Sequence, residues 1–199
     1  MNKSTAVNKT LAYKLQNWAS SMEEKYGHLI HQWNMMTATF KMRRVIPKDN
    51  FYVKELIQKI LLERGEIGTE SLHYDKELIN IADYYGLPGH RFNVLIHKKE
   101  IVGTVGIGPS THESFDPKKT CEVKKLYLRK EYRNQGQGKV MFRHALAQAK
   151  HFGYSQCVVK IEKREEQFLY FLLKEGFEQV IERDDDNFNY DLVMFKPLN

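Results

Sequence analysis

The residues of this chain best suited to chemistry lie in a glycine-rich turn that follows an apolar strand. The turn contains Arg133, Gly136 and Gly138, and the strand before it ends at Leu128. A helix begins at the turn, and its first backbone N–H groups lack intrahelical partners and carry about half a positive charge. Glycines allow an anionic group to approach such N–H groups closely. The segment therefore predicts a phosphate-binding site.

Two common phosphate-binding motifs do not fit the spacing of this turn. A dinucleotide fingerprint requires a third glycine where this chain has Met141. A Walker A loop requires a glycine at the position of Arg133 and Ser or Thr at the position of Val140. Both motifs are excluded.

The turn does match the pattern Arg-x-x-Gly-x-Gly, and with its neighbouring segments the sequence resembles the GNAT superfamily of acyl-CoA-dependent N-acetyltransferases. The resemblance covers about residues 41–199 and includes the segments VIPKDN, EIVGTVGIGP, EVKKLYLRKEYRNQGQGKV and KEGFE. It implies an α/β fold with a mixed, mostly antiparallel sheet of about seven strands, flanked by helices. The sheet is expected to be splayed between the strands 122–128 and 156–161, with the pantetheine arm of the cosubstrate in the gap.

The same resemblance implies acetyl-CoA as cosubstrate and assigns its contacts. Main-chain groups of Leu126, Tyr127 and Leu128 are expected to bind pantetheine and the thioester carbonyl. A fixed N–H donor to that carbonyl oxygen contributes on the order of 3 kcal/mol to lowering the barrier. The CoA pyrophosphate is expected to bind backbone N–H groups of Arg133, Asn134, Gln135, Gly136, Gln137, Gly138 and Lys139.

Direct transfer to an amine requires a base but no acyl-enzyme nucleophile, so Cys121 and Cys157 are interpreted as core thiols. Glu122 is the candidate base. Strand alternation predicts that Glu122 lies on the same face as Lys124, Leu126 and Leu128. A solvated or lysine-paired glutamate at a strand end remains the alternative interpretation.

The acid that protonates the departing thiolate is not assigned by the sequence. Many family members carry a tyrosine four residues before the glycine that ends the last helix, whereas this chain has Leu172 before Gly176. Tyr170 lies about 200° around the helix from that position and is expected to face elsewhere. A water, Tyr127 or a loop residue could serve, or the thiolate could leave unassisted.

The formal charge of +6 is concentrated in residues 121–151. Two glutamates there, Glu122 and Glu131, stand against eight basic residues: Lys124, Lys125, Arg129, Lys130, Arg133, Lys139, Arg143 and Lys150. Such a field favours an anionic ligand, either a polyphosphate-bearing small molecule or a nucleic acid backbone. The tract matches no recognised DNA-binding pattern and offers only Tyr127 and Tyr132 for stacking, so we expect no nucleic-acid partner.

Composition excludes several classes of protein. The longest stretches without Asp, Glu, Lys or Arg, His28–Phe40 and Ile101–His112, are well short of the roughly 20 residues of a spanning helix. We therefore expect no membrane partner. The two cysteines form no CxxC or Cys/His cluster, which argues against a disulfide scaffold and predicts no metal site. The N-terminus shows no apolar signal core, which predicts a cytoplasmic protein.

The chain is expected to consist of an N-terminal helical extension, residues 1–40, and an acetyltransferase domain, residues 41–199. The extension is predicted from an apolar stripe at helical spacing, in which Trp18 and Trp33 could also form a homodimer surface. The predicted function is N-acetylation through a ternary complex of enzyme, acetyl-CoA and an amine. The alternative is a non-catalytic acyl-CoA-binding module of the same fold.

Overall fold

The computed structural model describes residues 40–65, 76–162, 164–182 and 192–198, and these contain one seven-stranded sheet. The strands are β1 (Lys41–Arg44), β2 (Arg91–His97), β3 (Glu100–Pro109), β4 (Thr120–Leu128), β5 (Gln156–Ile161), β6 (Glu178–Glu182) and β7 (Leu192–Pro197). Their spatial order is β1-β2-β3-β4-β5-β7-β6, and all neighbours are antiparallel except β4 and β5. The mixed, mostly antiparallel sheet predicted from the sequence is confirmed.

The helices of the described residues are α1 (Asn50–Glu63), α2 (Lys76–Ile79), α3 (Ile81–Tyr84), α4 (Gln137–His151) and α5 (Glu166–Lys174). The sequence predicts a single helix from about Asp75 to Tyr85, with Gly86 as its stop signal, and this prediction is wrong. Asn80 leaves the helical region of backbone space, with φ −142° and ψ 83°, and its side chain accepts a hydrogen bond from the Asp83 amide. The side-chain cap begins a new helix at Ile81.

Helices α1 and α4 both pack on the central strands β3 and β4, on opposite faces of the sheet. Their buried residues recur at helical spacing: Val53, Leu56, Ile57, Ile60 and Leu61 of α1, and Met141, Phe142, Ala145 and Ala149 of α4. Burial of each large apolar side chain contributes about 2 kcal/mol. The two helices therefore hold β4 firmly between them, and β4 carries the residues of greatest chemical interest.

A β-bulge interrupts the regular alternation of β4. Thr104 pairs with Tyr127 but Gly106 pairs with Lys124, so β4 has one extra residue between these pairs. Lys125 occupies the extra position with φ +53°, and its carbonyl accepts a 2.8 Å hydrogen bond from the Thr104 hydroxyl. A bulge of this kind reverses which face the following residues occupy.

The bulge makes one prediction of the sequence wrong. Lys124 forms an ion pair with Glu77 of α2, whereas Leu128 lies close to Met141 of α4 across Gly103. Glu122 and Lys124 therefore occupy the face covered by α2 and α3, and Leu128 occupies the opposite face.

The sheet opens between β4 and β5, as the sequence predicts. Within the described residues, the two strands pair only from Thr120 to Glu122 and from Gln156 to Val158. Beyond these pairs the rest of β4, including Leu126–Leu128, continues without β5 alongside. The gap leaves one edge of β4 available to a ligand.

The predicted N-terminal helical extension lies outside the described residues, apart from Phe40, and stays a prediction. The sequence also predicts a turn between the last two strands, because residues 184–187 are three aspartates and an asparagine. This turn lies outside the described residues too. No helix in the described part of the chain is long and apolar enough to cross a membrane.

Candidate active site

The glycine-rich turn has the local geometry of an anion-binding site. Helix α4 begins directly after Gly136. Gly136 has a φ of +78°, which a glycine adopts without strain. The carbonyl of Gly136 accepts the hydrogen bond of the Val140 amide at 3.1 Å. The amides of residues 137–139 therefore have no acceptor within the helix and, together with the helix dipole, can bind an anion.

The space above this turn is open. A Cβ atom built at Gly136 or at Gly138 meets no heavy atom within 4 Å, so the turn has room for a phosphate group. The side chain of Gln135 turns back to donate a 2.9 Å hydrogen bond to the carbonyl of Glu131. Asn134 has a φ of +60°, which bends the chain toward the helix.

Lys139 adds a cation at the start of α4. Its Nζ lies 3.4 Å from Oε1 of Glu175. The Glu175 carboxylate also accepts two hydrogen bonds from Arg143, from Nε to Oε2 (2.8 Å) and from Nη2 to Oε1 (3.1 Å). The Arg143 guanidinium, followed by Lys139, lowers the pKa of the Glu175 carboxyl, although burial opposes the shift. Half of the Lys139 side chain remains exposed, so its charge adds to the positive field at the helix start.

Arg133 supports the turn through its side chain. Its Nε donates a 2.8 Å hydrogen bond to the carbonyl of Leu128, and its Nη2 lies 3.6 Å from Oε2 of Glu63 in α1. The backbone amide of Arg133 already donates to the carbonyl of Lys130. In this structure Arg133 therefore differs from residues 134–139, because it fixes the turn rather than offering an amide.

The strand before the turn presents different side chains to the two faces. Tyr127 packs against the core beneath α1, and the guanidinium carbon of Arg64 lies 5.8 Å from its ring centroid. Leu128 faces Met141 of α4. All three residues of this segment, Leu126, Tyr127 and Leu128, lie on the part of β4 beyond its last pair with β5.

Glu122 lies at the last residue pair between β4 and β5 and is only 5% exposed. Its Oε2 accepts hydrogen bonds from the backbone N–H (3.3 Å) and the hydroxyl (3.2 Å) of Thr111, and lies 3.2 Å from Nζ of Lys160. All three donors contact Oε2, and together they hold the carboxylate in place. None of these three contacts involves Oε1. The lysine-paired glutamate considered from the sequence is thus present. The role of Glu122 as a base stays a prediction.

A family model described as the acetyltransferase (GNAT) family matches residues 54–177, which include most of α1, β2–β5, the phosphate-binding turn and α5. The chain belongs to the GNAT acetyltransferase family. The predicted family and enzyme class are confirmed.

Individual relatives agree with this GNAT assignment. Among curated proteins, the chain is 29% identical over 120 residues to the uncharacterized N-acetyltransferase YjgM of Escherichia coli K12, which covers 60% of this chain and 70% of that protein. A GNAT-family acetyltransferase of Staphylococcus aureus Mu50 superposes with a TM-score of 0.68 at 19% identity, over 81% of this chain and all of that one. The putative acetyltransferase yncA of Salmonella typhimurium, solved with acetyl-CoA, gives 0.64 at 16% identity, over 81% of this chain and 95% of that one.

The acetyltransferase has a second polar cluster on the same face of β4, which the sequence does not predict. Nζ of Lys124 lies 2.9 Å from Oε1 of Glu77, and the hydroxyl of Tyr85 donates a 2.6 Å hydrogen bond to Oε2. Burial opposes ionisation of Glu77, but Tyr85, Lys124 and the nearby Lys125 together more than offset it, and the pKa of the carboxyl lies below its usual value. The only sequence signal was an acidic residue at a predicted helix start, which does not reveal a partner 47 residues away.

Helix α5 of this GNAT enzyme does not supply a tyrosine acid, as two of its residues show. Leu172 is fully buried, whereas Tyr170 is 60% exposed, with the Lys174 ammonium 4.2 Å from its ring centroid. Tyr170 therefore faces away from the core side of the helix, as its spacing predicts. Neither residue offers a hydroxyl to the sheet.

The two cysteines of this GNAT enzyme are core residues. Cys121 and Cys157 are register partners in the parallel pair of β4 and β5, and both are fully buried free thiols. Burial, together with the neighbouring Cys121, raises the pKa of the Cys157 thiol well above its usual value. A buried thiol of this kind is a poor nucleophile.

Proposed function

We propose that this acetyltransferase binds acetyl-CoA and transfers its acetyl group directly to an amine within a ternary complex. The observation that supports the proposal is the position of the gap between β4 and β5. The stretch of β4 that borders the gap begins just after the buried carboxylate of Glu122 and leads directly into the turn that starts α4. The candidate base and the anion-binding turn thus lie at the two ends of the stretch of β4 that borders the gap.

Acetyl-CoA fits the residues present, and it supplies an acetyl group activated as a thioester. The amides of residues 134–139 and the start of α4 bind its pyrophosphate, while Arg133 holds the turn in shape. Main-chain groups of Leu126, Tyr127 and Leu128 on the open edge of β4 bind the pantetheine arm. A backbone N–H at this edge stabilises the negative charge that develops on the carbonyl oxygen, a contribution of about 3 kcal/mol.

Glu122 acts as the base that takes a proton from the attacking amine, directly or through one water. Thr111 and Lys160 hold Oε2, so Oε1 is the oxygen oriented toward the amine. An amine with a pKa near 10 is almost wholly protonated at neutral pH, and such a base therefore accelerates the reaction by about 10²-fold or more. The buried cysteines take no part.

The absence of a tyrosine at Leu172 favours a second candidate, a module that binds acyl-CoA without catalysing transfer. A turnover assay against a broad panel of amines, with release of free thiol as the signal, distinguishes the two. An acetyltransferase releases thiol with at least one amine. A binding module binds CoA in calorimetry but releases none, and a chain that does neither contradicts both candidates.

Polyamines, amino acids, antibiotics and protein N-termini all present an amine that can accept an acetyl group. The panel should therefore contain each of these classes. A cytoplasmic location and a homodimer remain predictions from the sequence.

A further inference from the structure

Lys160 of β5 lies two residues beyond Val158, the last residue of β5 that pairs with β4. Its side chain therefore stands where the gap between the strands opens. Nζ donates a 2.9 Å hydrogen bond to the Thr111 hydroxyl and lies 3.2 Å from Oε2 of Glu122. The Lys160 side chain is 17% exposed, so this ion pair is largely shielded from water.

Two lysines of β4 lie near Glu122 but have Glu77 of α2 as their carboxylate contact. Lys124 of β4 pairs with Glu77 of α2, and the two carboxylates Glu122 and Glu77 both raise the pKa of Lys124 against the effect of burial. Lys125 lies 3.9 Å from Glu77. Lys160 is thus the cation in direct contact with the candidate base.

We propose that Lys160 is the acid that protonates the sulfur of CoA as the thioester breaks. The inference rests on the proposed acetyl transfer. That reaction needs a proton donor close to its base, and neither Leu172 nor Tyr170 of α5 can serve. An ammonium group at the opening of the gap, in contact with Glu122, meets the requirement.

The protons of the reaction balance. Glu122 accepts one proton from the ammonium form of the amine, the nitrogen then forms a bond to the acetyl carbon, and the second proton of the nitrogen is lost to solvent. As the carbon–sulfur bond breaks, its electron pair stays on sulfur, and Nζ of Lys160 donates a proton there. The neutral Lys160 amine then takes the proton from Glu122 across the 3.2 Å contact, which restores both groups.

Two substitutions separate this role from simple support of Glu122. Lys160→Gln removes the charge and the transferable proton but keeps a hydrogen-bonding side chain. Lys160→Arg keeps the charge, but guanidinium does not release a proton near neutral pH. Lys59→Gln on the exposed side of α1 makes the same change in net charge as Lys160→Gln and serves as the control.

The first measurement needs no turnover. The thiolate of CoA absorbs ultraviolet light that the thiol does not, so its titration can be followed in the enzyme–CoA complex. A nearby cation stabilises the thiolate, so Lys160→Gln should move the titration to higher pH by about one unit or more, while Lys160→Arg and Lys59→Gln leave it near wild type. An unchanged titration in Lys160→Gln overturns the proposal.

The second measurement is the single-turnover rate of acetyl transfer. Both Lys160 variants should lose about 10²-fold, because neither can deliver the proton. A wild-type rate in Lys160→Arg shows that the residue only positions Glu122, which also overturns the proposal. If Lys160→Gln does not fold, Lys160→Arg alone decides between these outcomes. Failure of wild-type protein to bind CoA or release thiol instead contradicts the proposed function.

Discussion

Nε of Arg133 donates a hydrogen bond of 2.8 Å to the carbonyl oxygen of Leu128, five residues earlier in the chain. The bond ties the phosphate-binding turn to the end of β4. We propose that both of these main-chain segments contact acetyl-CoA. The distance between them therefore depends on the Arg133 side chain.

Arg133→Lys should weaken this link, because a lysine cannot contact both the Leu128 carbonyl and Glu63 in the same fork geometry. We expect a loss of about 1 to 2 kcal/mol in the free energy of unfolding, measured by urea denaturation, and weaker CoA binding by calorimetry. Arg129→Lys is the control, since Arg129 pairs with the exposed Glu100 and should change stability by about 0.5 kcal/mol or less. Equal CoA affinity in wild type and Arg133→Lys contradicts a role for Arg133 in shaping the turn.

Gly138→Leu tests the phosphate-binding turn without straining it. Gly138 has an ordinary helical φ and open space at its Cβ position, so the variant should fold with unchanged or slightly higher thermal stability. The leucine side chain occupies the space of the phosphate, and CoA affinity by calorimetry should fall about 100-fold or more.

Gly153→Leu at the far end of α4 gives the opposite pattern and is the matched control. Gly153 has a φ of +87° with open space around it, so leucine there costs about 1 to 2 kcal/mol of stability. CoA affinity should be unaffected. If Gly138→Leu bound CoA like wild type, the phosphates would have to bind elsewhere.

Glu122→Gln removes the charge of the candidate base and keeps its size. Turnover should fall roughly 10²-fold or more while CoA affinity stays the same. The remaining rate should rise with pH toward the pKa of the amine, because only the free-amine fraction then reacts. The assay is a pH profile of acetyl transfer.

Glu113→Gln is a suitable comparison for Glu122→Gln, because Glu113 is an exposed carboxylate in the loop before β4. It should turn over normally. Normal activity in Glu122→Gln combined with loss in Glu113→Gln would move the base to that loop, where Asp116 would be the next candidate.

Asp49→Asn should show a pH-dependent loss of stability. Asp49 is 5% exposed and accepts hydrogen bonds from both terminal nitrogens of Arg43, at 2.6 and 2.9 Å, and from the Ile46 amide. Burial raises the pKa of its carboxyl, but these bonds outweigh that effect and the pKa is lowered. We expect Asp49→Asn to lose about 2 kcal/mol at pH 7.

The sign of the pH effect follows from the lowered pKa. The contribution of Asp49 is present above the unfolded pKa of about 3.9 and is lost as pH falls through the lower folded value. The difference between wild type and Asp49→Asn should therefore stay constant from pH 7 to about 5 and shrink in more acid solution. Glu55→Gln, at an exposed carboxylate of α1, should differ little from wild type at any pH. If the stability difference between wild type and Asp49→Asn did not shrink in acid, Asp49 would not be an ionised, hydrogen-bonded carboxylate.

The amino-acid sequence by itself determined the features that depend on neighbouring residues. The spacing of Arg133, Gly136 and Gly138 predicts the turn because φ values and helix starts are local properties. The same holds for β5, predicted and observed at 156–161, and for α5, which Gly176 ends. The short polar turn at residues 97–100 likewise predicts a hairpin of strands at about 92–97 and 101–107, which the structure has as β2 and β3.

Only the tertiary structure decided which side chains meet. The bulge at Lys125 depends on pairing with β3 about 20 residues away, so regular alternation along β4 gave the wrong face for Leu128. Lys160 contacts Glu122, 38 residues away in sequence, because β4 and β5 pair in parallel and then diverge. Thr111, in the loop before β4, contacts the same carboxylate. The register of the strands and the point at which they diverge depend on packing across the whole sheet. A local pattern of residues cannot predict either one, because that packing joins residues far apart in the sequence.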